Sequence, residues 1–238
     1  MHILKGAALG CAALLSAMGA EAASAATIQN FDSGWYQNSG FTAGVSNINV
    51  GSSNLSGAIY HNYLAFNIAG LANQNITSAT LTFYGGNGVN TSSTSETLGL
   101  FDYTGSIGAL LSDQFSTSVF TDLGNGASYG TAIVAAGAIQ QFTVTLSQAA
   151  IAGLNAAAHN QSDTRFVIGG SLLSVSGPFA NEQLFAIFGP QTALTPAAEL
   201  NLVTAPVPEP ATWAMMILGF GVAGGSIRRR NAAKLRAA

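Results

Sequence analysis

Cysteine is almost missing. The 238 residues hold one, Cys11, which excludes an internal disulfide and a cysteine-rich zinc site. Charge is almost missing too: Asp, Glu, Lys and Arg make up 7 % of the chain, against roughly 25 % in an ordinary soluble domain. Positive charge is scarcest. Between residues 26 and 205 the only basic residue is Arg165, against the eight acids Asp32, Glu96, Asp102, Asp113, Asp122, Asp163, Glu182 and Glu199. With an overall formal charge of −3 there is no concentrated basic face for a nucleic acid, and that partner class is excluded. Low charge does not imply disorder here, because 48 % of the residues are hydrophobic, enough to bury a core in a chain of this length.

Catalytic motifs are missing as well. There is no H-E-x-x-H, no calcium loop of the D-x-[DN]-x-[DN]-G kind and no G-x-S-x-G elbow. The run Gly85-Gly86-Asn87-Gly88 lacks the lysine and helix of a phosphate loop. Glycoside hydrolysis needs two carboxylates roughly 5 to 9.5 Å apart, and the nearest acids in sequence between residues 26 and 205, Glu96 and Asp102, are six positions apart. Folding brings distant residues together, so this lowers the odds of such a pair without closing the case. His61 falls mid-strand as a surface or rim residue, and His159 falls just after a helix, where a cation suits the helix dipole. The expectation is no catalytic residue, no metal and no cofactor.

What is present is concentrated at the two ends. Residues 1–25 have the layout of a secretory signal peptide: Lys5 in a short positive region, an apolar run over 7–18, then small residues. Ala23-Ser24-Ala25 fits the small-x-small pattern that signal peptidase requires, so cleavage is expected after Ala25, with Ala22 as the alternative. At the other end, residues 211–227 form 17 positions without a formal charge. As a helix they would be about 25 Å long, at the short end of what spans a bilayer. Five of the seven basic residues (Arg228, Arg229, Arg230, Lys234 and Arg236) lie beyond it, which places that tail in the cytoplasm and the preceding chain outside.

Immediately before this stretch stands Pro208-Glu209-Pro210. The run PEPATWAMMILGFGVAGGSIRRR resembles the PEP-CTERM sorting signal, in the variant with Trp-Ala after the tripeptide. The resemblance implies that Pro208, Glu209 and Pro210, with Trp213 and Ala214, are recognised by a membrane transpeptidase called an exosortase. It also implies that the apolar helix and Arg228, Arg229 and Arg230 act as a temporary inner-membrane anchor. Each part has a physical reason: two prolines hold the tripeptide extended and outside the helix, and Glu209 is a lone charge that a basic pocket can bind.

The intervening residues 26–205 have the length of one domain. Alternation of apolar and polar residues predicts strands over 60–68, 76–84, 97–103, 140–146, 164–168, 183–188 and 199–204, each with one polar face, separated by turn clusters at 85–88, 124–126 and 176–178. Ser147 is placed to cap a single short helix over 148–158. The pattern describes a mainly β domain, an antiparallel β-sandwich of jelly-roll type with one short helix. The succession YLAFNIAGL, ITSATLTFY, SETLGLFDYTG, FTDLGNGASYG, FVIGG and AELNLV resembles a β-sandwich ectodomain that recurs in PEP-CTERM proteins without an assigned activity. More distantly it is similar to carbohydrate-binding-type sandwich modules. Trp35 and Tyr36 are either an aromatic platform for a sugar or a plug at the end of the sandwich. The expectation is an exported bacterial protein of the cell surface or extracellular matrix, non-enzymatic and linked through the resemblance to exopolysaccharide. A carbohydrate-binding module is the alternative, and a secreted glycan-active enzyme the third reading.

Overall fold

The computed structural model describes residues 23–40, 42–44, 47–84, 88–112, 114–138, 141–185, 197–206, 215–225 and 228. The chain divides into two units, Met1–Ala205 and Pro206–Ala238. The first is built on antiparallel β-sheets. A four-stranded sheet has the order β1 (Ser24–Gln29), β14 (Ala198–Pro206), β6 (Gln74–Phe83), β11 (Phe142–Thr145). A ten-stranded sheet runs β10 (Gly137–Ala138), β7 (Gly88–Thr91), β13 (Glu182–Leu184), β4 (Val50–Ser52), β5 (Ile59–Asn67), β12 (Arg165–Leu172), β8 (Ser95–Asp102), β9 (Ser128–Ala135). β2 (Asp32–Gln37) also pairs with β5 and carries β3 (Thr42–Gly44).

Both sheets contribute to one core. Leu81, Phe83, Val144, Leu200 and Leu202 from the small sheet join Leu64, Phe66, Leu98, Leu100 and Ile168 from the large one, all within 5 % exposure. The strand expected over 76–84 forms as β6 with Ala79, Leu81 and Phe83 buried, and that over 140–146 contains β11 with Val144 buried beside the exposed Thr143. The helix over Gln148–Ala158 forms as expected, with Ser147 Oγ accepting from the Ala150 amide at 3.3 Å. Its Ala150, Ile151, Leu154 and Ala158 pack into the same core. Asn155 ties it to β6, accepting from the Ile76 amide at 2.8 Å and donating to the Ile76 carbonyl at 2.9 Å.

Two expectations need correction. The first is the single helix: α1 (Ile107–Leu110) and α2 (Thr117–Leu123) precede the predicted one, which becomes α3, and a 3-10 turn covers Ala69–Leu71. The second is the polar face on every strand. Around its middle β5 is buried on both sides, Leu64 and Phe66 facing the main core while Tyr63 and Ala65 enter a second cluster with Tyr36, Val167, Leu110, Val119 and Leu123. The reason is that α1 and α2 lie on the outer face of the large sheet and cover it. Gly169 of β12 permits this approach, since a Cβ there would sit 2.5 Å from the Leu123 carbonyl oxygen.

Candidate functional site

The helices α1 and α2 border a concave surface. Ser106 and Ser116 cap them, their Oγ atoms accepting from the Ala109 and Val119 amides. Between the two capped segments lies an open cleft of about 820 Å³, lined by Tyr103, Thr104, Ser118, Asp122 and Asn125 among others. A second cleft of about 610 Å³ shares Tyr103, Gly105 and Ser106 with it and runs on to Tyr129, Asn160 and Arg165. Together they form a groove walled by hydroxyls, amides and two phenols.

Asp122 in the first cleft and Asp102 at the end of β8 are committed to the backbone. Asp122 Oδ2 accepts from the amides of Thr104 and Gly105, both at 2.9 Å, and Oδ1 accepts from Thr104 Oγ1 at 3.0 Å. Asp102 Oδ1 accepts from the Ala127 amide at 2.7 Å. That turn needs Gly126, whose φ is +104° and whose Cβ would fall 2.1 Å from Asp102 Oδ1. Arg165 grips Asp163 through Nε and Nη2 at 2.8 and 2.7 Å. Those hydrogen bonds hold the Asp163 carboxyl below the usual carboxylate range and raise the guanidinium in turn.

The two phenols stay protonated at any physiological pH. Burial first, then Asp122 and Tyr36, push Tyr103 up to about 12; burial and Asp102 push Tyr129 to about 12. Tyr103 donates to the Ser106 carbonyl at 3.1 Å, and Tyr129 stacks on Phe166 with ring centroids 5.7 Å apart. The groove therefore offers hydroxyls and amides beside the Tyr103 ring, with Asp122 and the Asp163–Arg165 ion pair as its charged groups.

His61 lies under α2 and keeps partial exposure. Its ring stacks on Phe120 at 4.1 Å and its Nδ1–H donates to the Phe120 carbonyl at 2.7 Å. Burial lowers its pKa from the ordinary 6.5, opposed by that hydrogen bond. The unfolded chain therefore takes up a proton below pH about 6.5 that the folded chain refuses, so the contribution of this group to stability is complete above that pH and declines as pH falls below it. The melting midpoint is expected to drop between pH 7 and 5, and less steeply in His61→Gln. Equal pH slopes in the two proteins would show that His61 does not carry the effect. His159, beyond α3, donates through Nε2 to the Gln74 carbonyl at 3.1 Å.

The aromatic pair singled out in the sequence is divided between two environments. Tyr36 is 0 % exposed and its hydroxyl donates to the Leu110 carbonyl at 2.7 Å, so it presents no face to a ligand. Trp35 is half-buried, its Nε1 donating to Asn47 Oδ1 at 2.6 Å and its ring set edge-on to Tyr60 at 5.0 Å. The groove itself escaped the sequence, although the capping serines Ser106 and Ser116 were there to be seen.

At the chain ends, Ala23 is exposed and Ala25 lies in β1 opposite Val203 of β14. Pro208, Glu209, Pro210, Trp213, Ala214, Arg229 and Arg230 lie outside the described residues. Residues 215–225 are helical, and Arg228 is helical and exposed. No helix among the described residues is long and apolar enough to cross a membrane. Compared with known families, residues 206–230 match the PEP-CTERM protein-sorting motif. The chain carries a PEP-CTERM sorting motif. That motif implies export, a membrane-anchored precursor and processing by an exosortase-type enzyme. No curated protein matches the chain.

Proposed function

We propose that this PEP-CTERM protein is a non-enzymatic component of the cell surface or extracellular matrix, whose ectodomain, a jelly-roll-like β-sandwich, works by contact with exopolysaccharide. A signal peptide over residues 1–25 and a transmembrane helix over 211–227 would hold the precursor in the inner membrane until sorting. The observation that carries the reading is the sorting motif at 206–230. The use of Asp102 and Asp122 as backbone clamps supports a binding role over an acid–base one, because a carboxylate with its lone pairs engaged by amides is poorly placed to shuttle protons.

The groove, with its hydroxyls and the exposed side of Tyr103 and with its carboxylates held by amides or by Arg165, favours one specific version of this reading, a carbohydrate-binding module. The test is co-sedimentation of the protein with matrix polysaccharide from its host, with product analysis of the polymer. Retention without depolymerisation is expected. Tyr103→Ala, which removes the ring shared by both clefts, should weaken retention by roughly tenfold, the scale of a lost aromatic contact, whereas Trp35→Ala should leave it largely unchanged. Shortened or unsaturated polymer would establish a glycan-active enzyme and overturn the proposal.

A further inference from the structure

Two buried carboxylates have no part in the groove or the sorting signal. Glu96 of β8 is 0 % exposed and Glu182 of β13 is 5 % exposed. Strand register sets Glu182 between Ser52 of β4 and Thr91 of β7. Residues directly opposed on neighbouring strands project to the same face with Cβ atoms about 5 Å apart, so Ser52, Glu182 and Thr91 form one row. Residues 92–94 then turn the chain back so that the Thr91 hydroxyl donates to Glu96, although four strands separate β7 from β8 in the sheet order. The large sheet thus curls, and the two glutamates come to the same end of it.

Their partners are neutral. Glu96 accepts from the hydroxyls of Thr91 and Ser174, and Glu182 accepts from the Ser176 amide at 2.7 Å and hydroxyl at 2.5 Å. The Thr91 and Ser174 oxygens accept in turn from the amides of Ser93 and Thr97. Arg165, the one basic residue of the ectodomain, is bound to Asp163. Carboxylates removed from water without a counter-charge are costly unless an ion compensates them.

A second observation points to what is needed there. Ser52 is 0 % exposed, and its Oγ has no hydrogen-bond partner among the described residues although it stands directly beside Glu182. Asn181, preceding Glu182, likewise has a buried Oδ1 without a partner. The row is rich in acceptor oxygens and poor in donors, and every free atom is hard oxygen. We propose that Glu96, Glu182 and Ser52 bind a divalent, oxygen-seeking cation of the calcium type. Among the described residues no three of His, Cys, Asp and Glu come together. The ion would therefore take hydroxyl, amide, backbone or water oxygens to reach the about six to eight ligands that calcium prefers. With two carboxylates the affinity expected is that of extracellular modules, a Kd on the order of 10⁻⁴ to 10⁻³ M.

The experiment uses the full chain purified in detergent and stripped with EDTA. Calorimetric titration with Ca²⁺ should show one site per chain, and Ca²⁺ at ten times the Kd should raise the melting midpoint by roughly 3–6 °C. Glu182→Gln and Glu96→Gln should weaken binding by at least tenfold. If either fails to fold, Ser52→Ala decides: it deletes an unsatisfied buried hydroxyl, so the calcium-free protein should melt at the same temperature or higher while the calcium-induced rise shrinks. A merely structural serine would not reverse sign in this way. No binding heat and no shift at millimolar Ca²⁺ would overturn the proposal, leaving water as the occupant. Unweakened binding in Ser52→Ala and the glutamine variants would overturn it too, by placing the ion elsewhere.

Discussion

Phe66→Ala is expected to lower the melting midpoint of the ectodomain by roughly 6–20 °C. Phe66 is 0 % exposed at the middle of the large sheet, paired with Phe166 across β5 and β12 and facing the core shared by both sheets. Truncating a buried phenylalanine costs about 3–5 kcal/mol, the lost transfer energy plus the cavity that remains. A domain has only about 5–15 kcal/mol to lose, and in one of this size each kcal/mol is worth about 2–4 °C. Ile133→Ala is the control. Ile133 is also on a strand of the large sheet but is 78 % exposed, so its loss should fall within about 0.5 kcal/mol. Circular-dichroism melts of both variants decide the matter: similar midpoints would mean that the core does not lie where the two sheets meet.

The contrast between Phe66 and Ile133 also shows how far the sequence could be read. Alternation located β5, β6, β8, β11, β12 and β14 because each buries residues at every second position against the core. Ser147 and the alanine-rich run after it announced α3, since a cap followed by strong helix formers is a local signal. The helices α1 and α2 carry no such run. They span four and seven residues, too short to be stable alone, and owe their form to Leu110, Val119 and Leu123 packing on Tyr36, Tyr63 and Val167. That is a tertiary fact. It also explains the misjudged outer face of β5, since Ile59, Tyr60 and His61 keep partial exposure at its start while the next five residues are buried. The groove follows from the same two helices, so it was illegible for the same reason. The sorting motif at 206–230 was legible, because a linear peptide recognised by an enzyme must carry its information locally.

That local information makes Glu209 a single position at which the sorting reading is testable. Were Pro208-Glu209-Pro210 only a linker, Glu209→Gln would be neutral, as exposed substitutions usually cost less than about 0.5 kcal/mol. In a motif recognised by an exosortase-type enzyme, the same change removes a charge-assisted contact worth roughly 1.5–3 kcal/mol while preserving shape and both prolines. If that contact is made in the rate-limiting step, processing slows by about one to two powers of ten, since each 1.36 kcal/mol of barrier is tenfold. The precursor, still carrying Arg228, Arg229 and Arg230, should accumulate in the inner membrane. The ectodomain should remain folded, because the substitution falls in the unit Pro206–Ala238, apart from the core residues of Met1–Ala205. The measurement is the ratio of precursor to processed protein in the native host, with protease resistance of the ectodomain as the folding control. An unchanged ratio with an intact ectodomain would remove Glu209 from the recognition element and leave the two prolines and the Trp213-Ala214 pair to carry it.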